Sequence, residues 1–349
     1  MLNGKLDFRS DTVTEPTEEM LEAMRHAKLG DDGREGDPTV RELEEYSAQL
    51  LGKEAGLFVV SGTAGNLVSL MAHTTPGQEM ILERDAHIFW YEAIGTIRAT
   101  GLVVNRVAGT DGMMKPEDVE AAIRGSNPHY PQTGVICVEN THNVAGGTCC
   151  TVAQTAAVKA VAERHGIPVH LDGARIFNAS VALGVPAKEI AAQTDSTTFC
   201  LSKGLSCPVG AVIVGSKEFI DRSRCMRKAL GGTMRQAGVI AAAGLVALRT
   251  MVHRLADDHA NARRLAEKLG RIPGVAVDMA KVQTNIVRTK VSGLGVPAAA
   301  VAEKLAEHNV LVLAQQKDTL RWLTHRHVMA SDVEEAADAM RKVAASFHR

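Results

Sequence analysis

The run Ile167-Pro168-Val169-His170-Leu171-Asp172, followed at once by Gly173-Ala174-Arg175, is short, apolar on both faces and ends in a carboxylate. Such a run reads as a strand buried on both sides, the signature of a parallel sheet covered by helices. Six further runs of this kind surround it: Gly56–Val60, Glu79–Leu82, Leu102–Arg106, Gly134–Glu139, Ser196–Ser202 and Val209–Gly215. Helix-length segments such as Thr151–His165 separate them, which makes the middle of the chain an α/β domain with a mostly parallel seven-stranded sheet.

Upstream lies an arm with a first helix, started by Pro16, with Glu18 and Glu19 at its positive end and Gly30 beyond its close. A polar loop, Gly30–Pro38, comes next. Downstream, Gly232–Leu269 reads as one long or broken helical region with an apolar stripe through Ala241, Leu245 and Leu248. From Ile272 onward, strand-like Val275–Met279, Asn285–Thr289, Leu311–Ala314 and Thr319–Thr324 flank helices at Pro297–His308 and Ser331–Phe347. The expected division is residues 1–255 for arm and large domain, and 256–349 for a small C-terminal α+β domain.

A length of 349 residues suits that division. With 45% hydrophobic and 23% charged residues, disorder, collagen and a disulfide scaffold are excluded. Thirty-nine basic against forty acidic residues leave a net charge of −1, so no global field recruits nucleic acid and a small-molecule partner is expected. The six cysteines (137, 149, 150, 200, 207 and 225) form no CxxC pair or zinc pattern, which suggests reduced thiols in the cytoplasm. Met1–Asp7 has no apolar signal core and no run of about eighteen apolar residues follows, so neither secretion nor membrane spanning is expected.

Three motifs carry the chemistry. Ser61-Gly62-Thr63-Ala64-Gly65-Asn66 follows a strand and opens a helix, where backbone N–H groups gather around an anion; the alternative is an ordinary capped turn. Asp172 sits at the C-terminal edge of its strand and needs a cation there, supplied either by Arg175 or by the protonated nitrogen of a cofactor. Lys203, in Phe199-Cys200-Leu201-Ser202-Lys203-Gly204-Leu205, ends another apolar run, and partial desolvation would suit its amine to imine formation; otherwise it snorkels to water. Phosphate loop, edge aspartate and edge lysine in this order describe a pyridoxal phosphate site. His87 could lie over a bound ring or serve as acid or base, the Glu139–Asn143 strand end could face substrate, and Arg321 could bind a carboxylate.

With those residues in place, the chain resembles the threonine aldolases of the β-eliminating lyase family, pyridoxal phosphate fold type I (the aspartate aminotransferase fold), over nearly its whole length. The matching stretches are Asp7–Thr14, Ser61–Asn66, His87–Glu92, Glu139–Asn143, Asp172–Ser180, Cys200–Gly210 and Gly231–Gly238. The resemblance implies that Lys203 forms the Schiff base, Asp172 pairs with the pyridine nitrogen, His87 stacks on the ring, and Gly62 and Thr63 hold the phosphate. It further implies that Ser10, Arg175 and Arg321 bind the substrate carboxylate, Arg175 also lying near the cofactor oxygen. His142 would lie near the substrate side chain, and Arg235 would reach phosphate across a dimer interface. In Gly30-Asp31-Asp32-Gly33-Arg34, Arg34 stands where relatives often carry a tyrosine.

The implied reaction is retro-aldol cleavage of L-threonine or L-allo-threonine to glycine and acetaldehyde, in a homotetramer built as a dimer of dimers. Aminotransferase or racemase chemistry at Cα, and a non-catalytic cofactor carrier, are the alternatives. His87, His142 and a bound water all stand as candidate bases, and any bound metal is left open.

Overall fold

The computed structural model describes residues 4–347, so Met1–Asn3, part of the stretch read for a signal core, lie outside the described residues. The chain forms two compact units: residues 16–145 with 149–252, and residues up to Glu15 with 146–148 and 253 onward.

The large unit holds the seven-stranded sheet: β1 (Ala55–Val59), β2 (Glu79–Glu83), β3 (Val103–Val107), β4 (Thr133–Glu139), β5 (Val169–Asp172), β6 (Ser196–Cys200) and β7 (Ala211–Gly215). Their spatial order is β1-β7-β6-β5-β4-β2-β3. β7 runs antiparallel to both its neighbours, and every other pair is parallel. All seven expected runs are therefore strands. β2, β4, β5, β6 and β7 are buried at every residue, whereas β3, at the edge, exposes Val103 and Arg106. Because β7 reverses between β1 and β6, β1 points the same way as the parallel strands. The C-terminal ends of β1, β2, β4, β5 and β6 thus share one edge, where α/β sheets bind ligands.

Helix α1 (Gly62–His73) leaves β1 at that edge, as does α2 (His87–Trp90) after β2 and α3 (Ile176–Leu183) after β5. α1 is anchored through Val68 and Ala72 against Leu57, Val59 and Ile213, and through Leu70 against Met80, Leu82 and Val135. Burying Val68 and Leu70 contributes about 1.5–3 kcal/mol each. That grip fixes the helix start relative to the strand ends.

Two local readings change, and a third, the long or broken helical region, is decided as broken. The first helix is Glu18–Arg25, capped by the Thr17 hydroxyl, so Pro16 precedes its cap and Gly30 lies well past its end. A helix at Pro38–Leu51, absent from the sequence reading, has Pro38 in its first turn and is capped by Asp37, whose carboxylate accepts from Thr39 and Val40 N–H at 3.0 and 3.1 Å. The long helical region breaks after Met251 and resumes at Leu255–Leu269.

The small unit carries a four-stranded antiparallel sheet of β8 (Ala276–Val277), β9 (Ile286–Lys290), β10 (Leu313–Gln316) and β11 (Thr319–Leu323), in the order β8-β9-β11-β10. Trp322 on β11 is fully buried; its indole N–H donates to Thr289 at 3.1 Å and its ring meets Phe8 edge-on. The start of the arm, up to Glu15, grouped above with the large domain, belongs here, while the arm's helix stays with the large unit: Leu6–Asp7 pairs in parallel with Val310–Leu311. Among the described residues no single helix is long and apolar enough to cross a membrane.

Candidate active site

The loop after β1 and the start of α1 behave as an anion cradle. Ser61 caps the helix, its hydroxyl accepting from Ala64 N–H at 3.1 Å, which leaves the N–H groups of Gly62 and Thr63 without intrahelical partners. A Cβ on Gly62 would stand 2.6 Å from the Cys200 sulfur, so any larger residue there must displace that side chain. The Thr63 hydroxyl is committed elsewhere, donating to Glu92 at 3.1 Å.

Glu92, which the sequence reading gave no role, is the hub of the site. Buried, it accepts from Thr63, from Asn66 Nδ2 at 3.2 Å and from His87 Nδ1 at 3.0 Å. Asn66 also donates to Asp172 Oδ2 at 3.1 Å, and the other Asp172 oxygen accepts from Ala174 N–H at 3.1 Å. One nitrogen or oxygen each from His87, Glu92 and Asp172 come within 4.8 Å of one another. Burial opposes a charge on His87, but the hydrogen bond to Glu92 and the charges of Asp172, Glu92 and Glu139 outweigh it and raise its pKa above 6.5. The backbone N–H of His87 donates to Glu139 at 2.8 Å, which ties the end of β2 to the end of β4.

Lys203 lies in the connection from β6 to β7. Leu201 N–H donates to Gly210 O at 3.0 Å, Cys207 N–H to Leu201 O at 3.1 Å and Ser206 N–H to Lys203 O at 2.9 Å, so the turn is pinned from both sides. Gly210 adopts φ 114°, and a Cβ there would lie 2.5 Å from the Phe58 ring. Lys203, Arg175, Asn178 and Cys200 line one small pocket. Burial raises the Cys200 thiol, and Lys203 opposes that rise while Asp172 adds to it, which places both groups within electrostatic reach of one sulfur.

A pyridoxal phosphate fits this arrangement by the chemistry of its donors and acceptors. Asp172 is a buried acceptor at the sheet edge, Lys203 supplies the amine, and the start of α1 leaves the N–H groups of Gly62 and Thr63 for a phosphate.

Other predicted residues have different surroundings. His142 is buried; its Nε2 faces Glu83 at 3.1 Å and Glu139 at 3.5 Å, and its Nδ1 accepts from Ala145 N–H at 3.1 Å. Burial works against its charge, yet Glu139 and Glu83 raise its pKa, while the Ala145 N–H keeps the ring proton on Nε2. Arg235 is exposed and pairs with Asp31 at 3.3 Å. Arg34 is exposed beside Asp31 and lines a charged cleft of about 610 Å³ that includes none of the predicted site residues. In the small unit, Arg321 is a buried strand residue opposite Arg288, and the Ser10 hydroxyl accepts from Thr12 N–H at 3.2 Å.

Three comparisons bear on this geometry. The family pattern described as β-eliminating lyase matches residues 7–292. A low-specificity L-threonine aldolase of Arabidopsis thaliana is 45% identical over 338 residues, 95% of this chain and 94% of that protein. An alanine racemase of Cochliobolus carbonum is 31% identical over 98% of this chain and 88% of its own length. Among solved structures, a threonine aldolase of Leishmania major superposes with a TM-score of 0.82 at 19% identity, covering 97% of this chain and 99% of that one, a likeness of fold.

Proposed function

This chain belongs to the β-eliminating lyase family, and on that premise we propose that it cleaves L-threonine and L-allo-threonine to glycine and acetaldehyde, with pyridoxal phosphate as cofactor. The observation that carries the reading is the meeting of His87, Glu92 and Asp172 at the sheet edge on which Lys203 also lies. The margin of identity, 45% against 31%, favours the aldolase over the racemase.

When bound, the cofactor supplies a ring that accepts the electron pair released as the Cα–Cβ bond breaks. Asp172 would hold the ring nitrogen's proton, Lys203 would tether the group through its amine, His87 would lie against the ring, and the Gly62 and Thr63 N–H groups would take the phosphate. Arg175, nearly buried beside Lys203 in the pocket, would clamp the substrate carboxylate and sit near the cofactor oxygen. Carboxylate roles for Ser10 and Arg321, a substrate-facing role for His142, and the reach of Arg235 to a neighbouring subunit's phosphate are carried by motif resemblance alone. A cytoplasmic, tetrameric enzyme completes the proposal, supported by six cysteines that form no disulfide and by the same resemblance.

The β-hydroxyl proton needs an acceptor. Both ring nitrogens of His142 are engaged, whereas His87 uses Nδ1 toward Glu92 and keeps Nε2 for another partner. We assign the base to His87 Nε2, with Glu92 stabilising the imidazolium that results.

The test is product analysis on purified, cofactor-loaded protein given each threonine isomer. Equal amounts of glycine and acetaldehyde are expected. A keto acid, or inverted amino acid without aldehyde, would transfer the site to the aminotransferase or racemase reading.

A further inference from the structure

Beneath the sheet edge, side chains from α1, β5 and β6 join in one line. His73 Nε2 lies 2.7 Å from Ser196 Oγ, Ser196 Oγ 2.9 Å from His170 Nδ1, His170 Nε2 3.1 Å from Asn66 Oδ1, and Asn66 Nδ2 3.1 Å from Asp172 Oδ2. Asn66, His170 and Ser196 are at most 1% exposed, so water does not complete these bonds. Neither His170 nor Asn66 has a role in the reaction described above.

The direction of every bond follows from its end. Asp172 and Glu92 are both carboxylates and offer only lone pairs, so the Asn66 NH₂ must face them and its oxygen must face His170. An amide oxygen only accepts, so His170 carries a proton on Nε2. Burial pushes the His170 pKa down to about 4 against the pull of Asp172, and the ring therefore keeps that one proton. Its Nδ1 then accepts from Ser196, whose single hydrogen is thereby spent, and Ser196 accepts from His73 Nε2–H. The other groups facing the imidazole do not disturb this order. Cys137, its cross-strand neighbour on β4, is a thiol whose pKa burial raises, and His73, also neutral through burial, falls to about 3.

We propose that His73, Ser196, His170 and Asn66 form a one-way hydrogen-bond chain that points every donor toward Asp172, and that His170 is a positioning residue which keeps that carboxylate turned toward its ligand. The ligand in this statement is the ring nitrogen of the proposed cofactor, and to that extent the inference rests on that reading. Aligned donors polarise one another, so the last bond, to Asp172, is the one strengthened. The His170 proton also locks the amide: without it, Asn66 is free to flip and set its oxygen against two carboxylates.

Two measurements test the chain on the full-length protein. Nitrogen-15 NMR of histidine-labelled, cofactor-free protein should show His170 as the neutral Nε2–H tautomer from about pH 6 to about pH 8. A Nδ1–H tautomer or an imidazolium in that range would overturn the proposal, whatever the protein binds. Second, pyridoxal phosphate affinity of His170→Phe should fall about tenfold or more, the loss expected for one hydrogen bond to a charged group. His170→Gln, whose amide can still donate to Asn66, should recover most of it. Wild-type affinity in the phenylalanine variant, or equal loss in both variants, would refute the positioning role. A wild-type protein that bound no pyridoxal phosphate would instead overturn the proposed function and leave the tautomer result standing.

Discussion

Replacing Glu92 by glutamine should lower the pKa of His87 and move the pH profile of the enzyme with it. The Glu92 oxygen lies 3.0 Å from His87 Nδ1, and both groups are largely withdrawn from water. At an effective dielectric of about 20, unit charges at that separation attract by about 5 kcal/mol. Only part of this is lost, because the amide keeps an acceptor oxygen while Asp172 and Glu139 still favour the imidazolium. With about 1.4 kcal/mol per pKa unit, a fall of about one to two units is expected. His87 acts as a base only when neutral, so kcat/KM rises with pH through its pKa. In the wild type that rise should centre above 6.5, and in Glu92→Gln it should centre about one to two units lower. The sign for stability is also set. A pKa raised by folding stabilises the protein fully below 6.5 and loses that contribution as pH climbs through the folded value. The assay is acetaldehyde release from L-threonine, coupled to reduction by NADH, across the pH range. An unmoved midpoint would show that His87 is not the titrating base or that Glu92 does not set its charge.

Lys203→Ala removes the only amine assigned to tether the cofactor, so turnover should fall more than about a thousandfold and borohydride should fix no pyridoxal on the chain; retained turnover would break the assignment. Gly62→Ala drives a methyl to 2.6 Å from the Cys200 sulfur and should cost about 1–3 kcal/mol in thermal unfolding, with Cys200→Ala in the same chain restoring it. If the pair of changes merely added, the clash would not be the cause. Trp322→Ala empties the centre of the small unit and removes the donor to Thr289, so urea unfolding should show a loss of about 3–5 kcal/mol; a loss under about 1 kcal/mol would mean that the cavity collapses without strain.

The large sheet was legible because its strands are short, apolar and separated by helix-length spacers. Val209–Gly215 could be read as a strand, but its reversal could not, since a fully buried strand has the same pattern in either direction. The Pro38–Leu51 helix was missed despite a local signal: Asp37-Pro38 is a cap followed by a proline whose missing N–H costs nothing there. The arm's pairing with Val310–Leu311 left no local trace, because the two strands are joined only through the rest of the chain. In the site, Gly62, His87, Asp172 and Lys203 end or follow strands, and position alone made them candidates. Asn66 lies inside a helix, Glu92 in the short turn between the helices His87–Trp90 and Ala93–Thr100, and His170 inside a strand, where a polar residue is readily taken for surface or filler. The signal available for His170 was its place in Val169-His170-Leu171-Asp172, a strand with both faces apolar and no water to satisfy an imidazole.

The pinned turn between β6 and β7 has a consequence for what variation the chain can absorb. Lys203 hangs between two neighbouring strands of opposite direction, with its own carbonyl and those of Leu201 and Gly210 already spoken for. A residue inserted there cannot be looped out to solvent; it would shift the register of β7 against β6 or rotate the amine away from the Asp172 edge. The exposed stretch around Gly125–His129 has no such obligation and can lengthen at small cost in loop entropy. Length polymorphism should therefore be tolerated there and absent between Leu201 and Gly210, so the spacing from Leu201 to Gly210 acts as a ruler built into the chain.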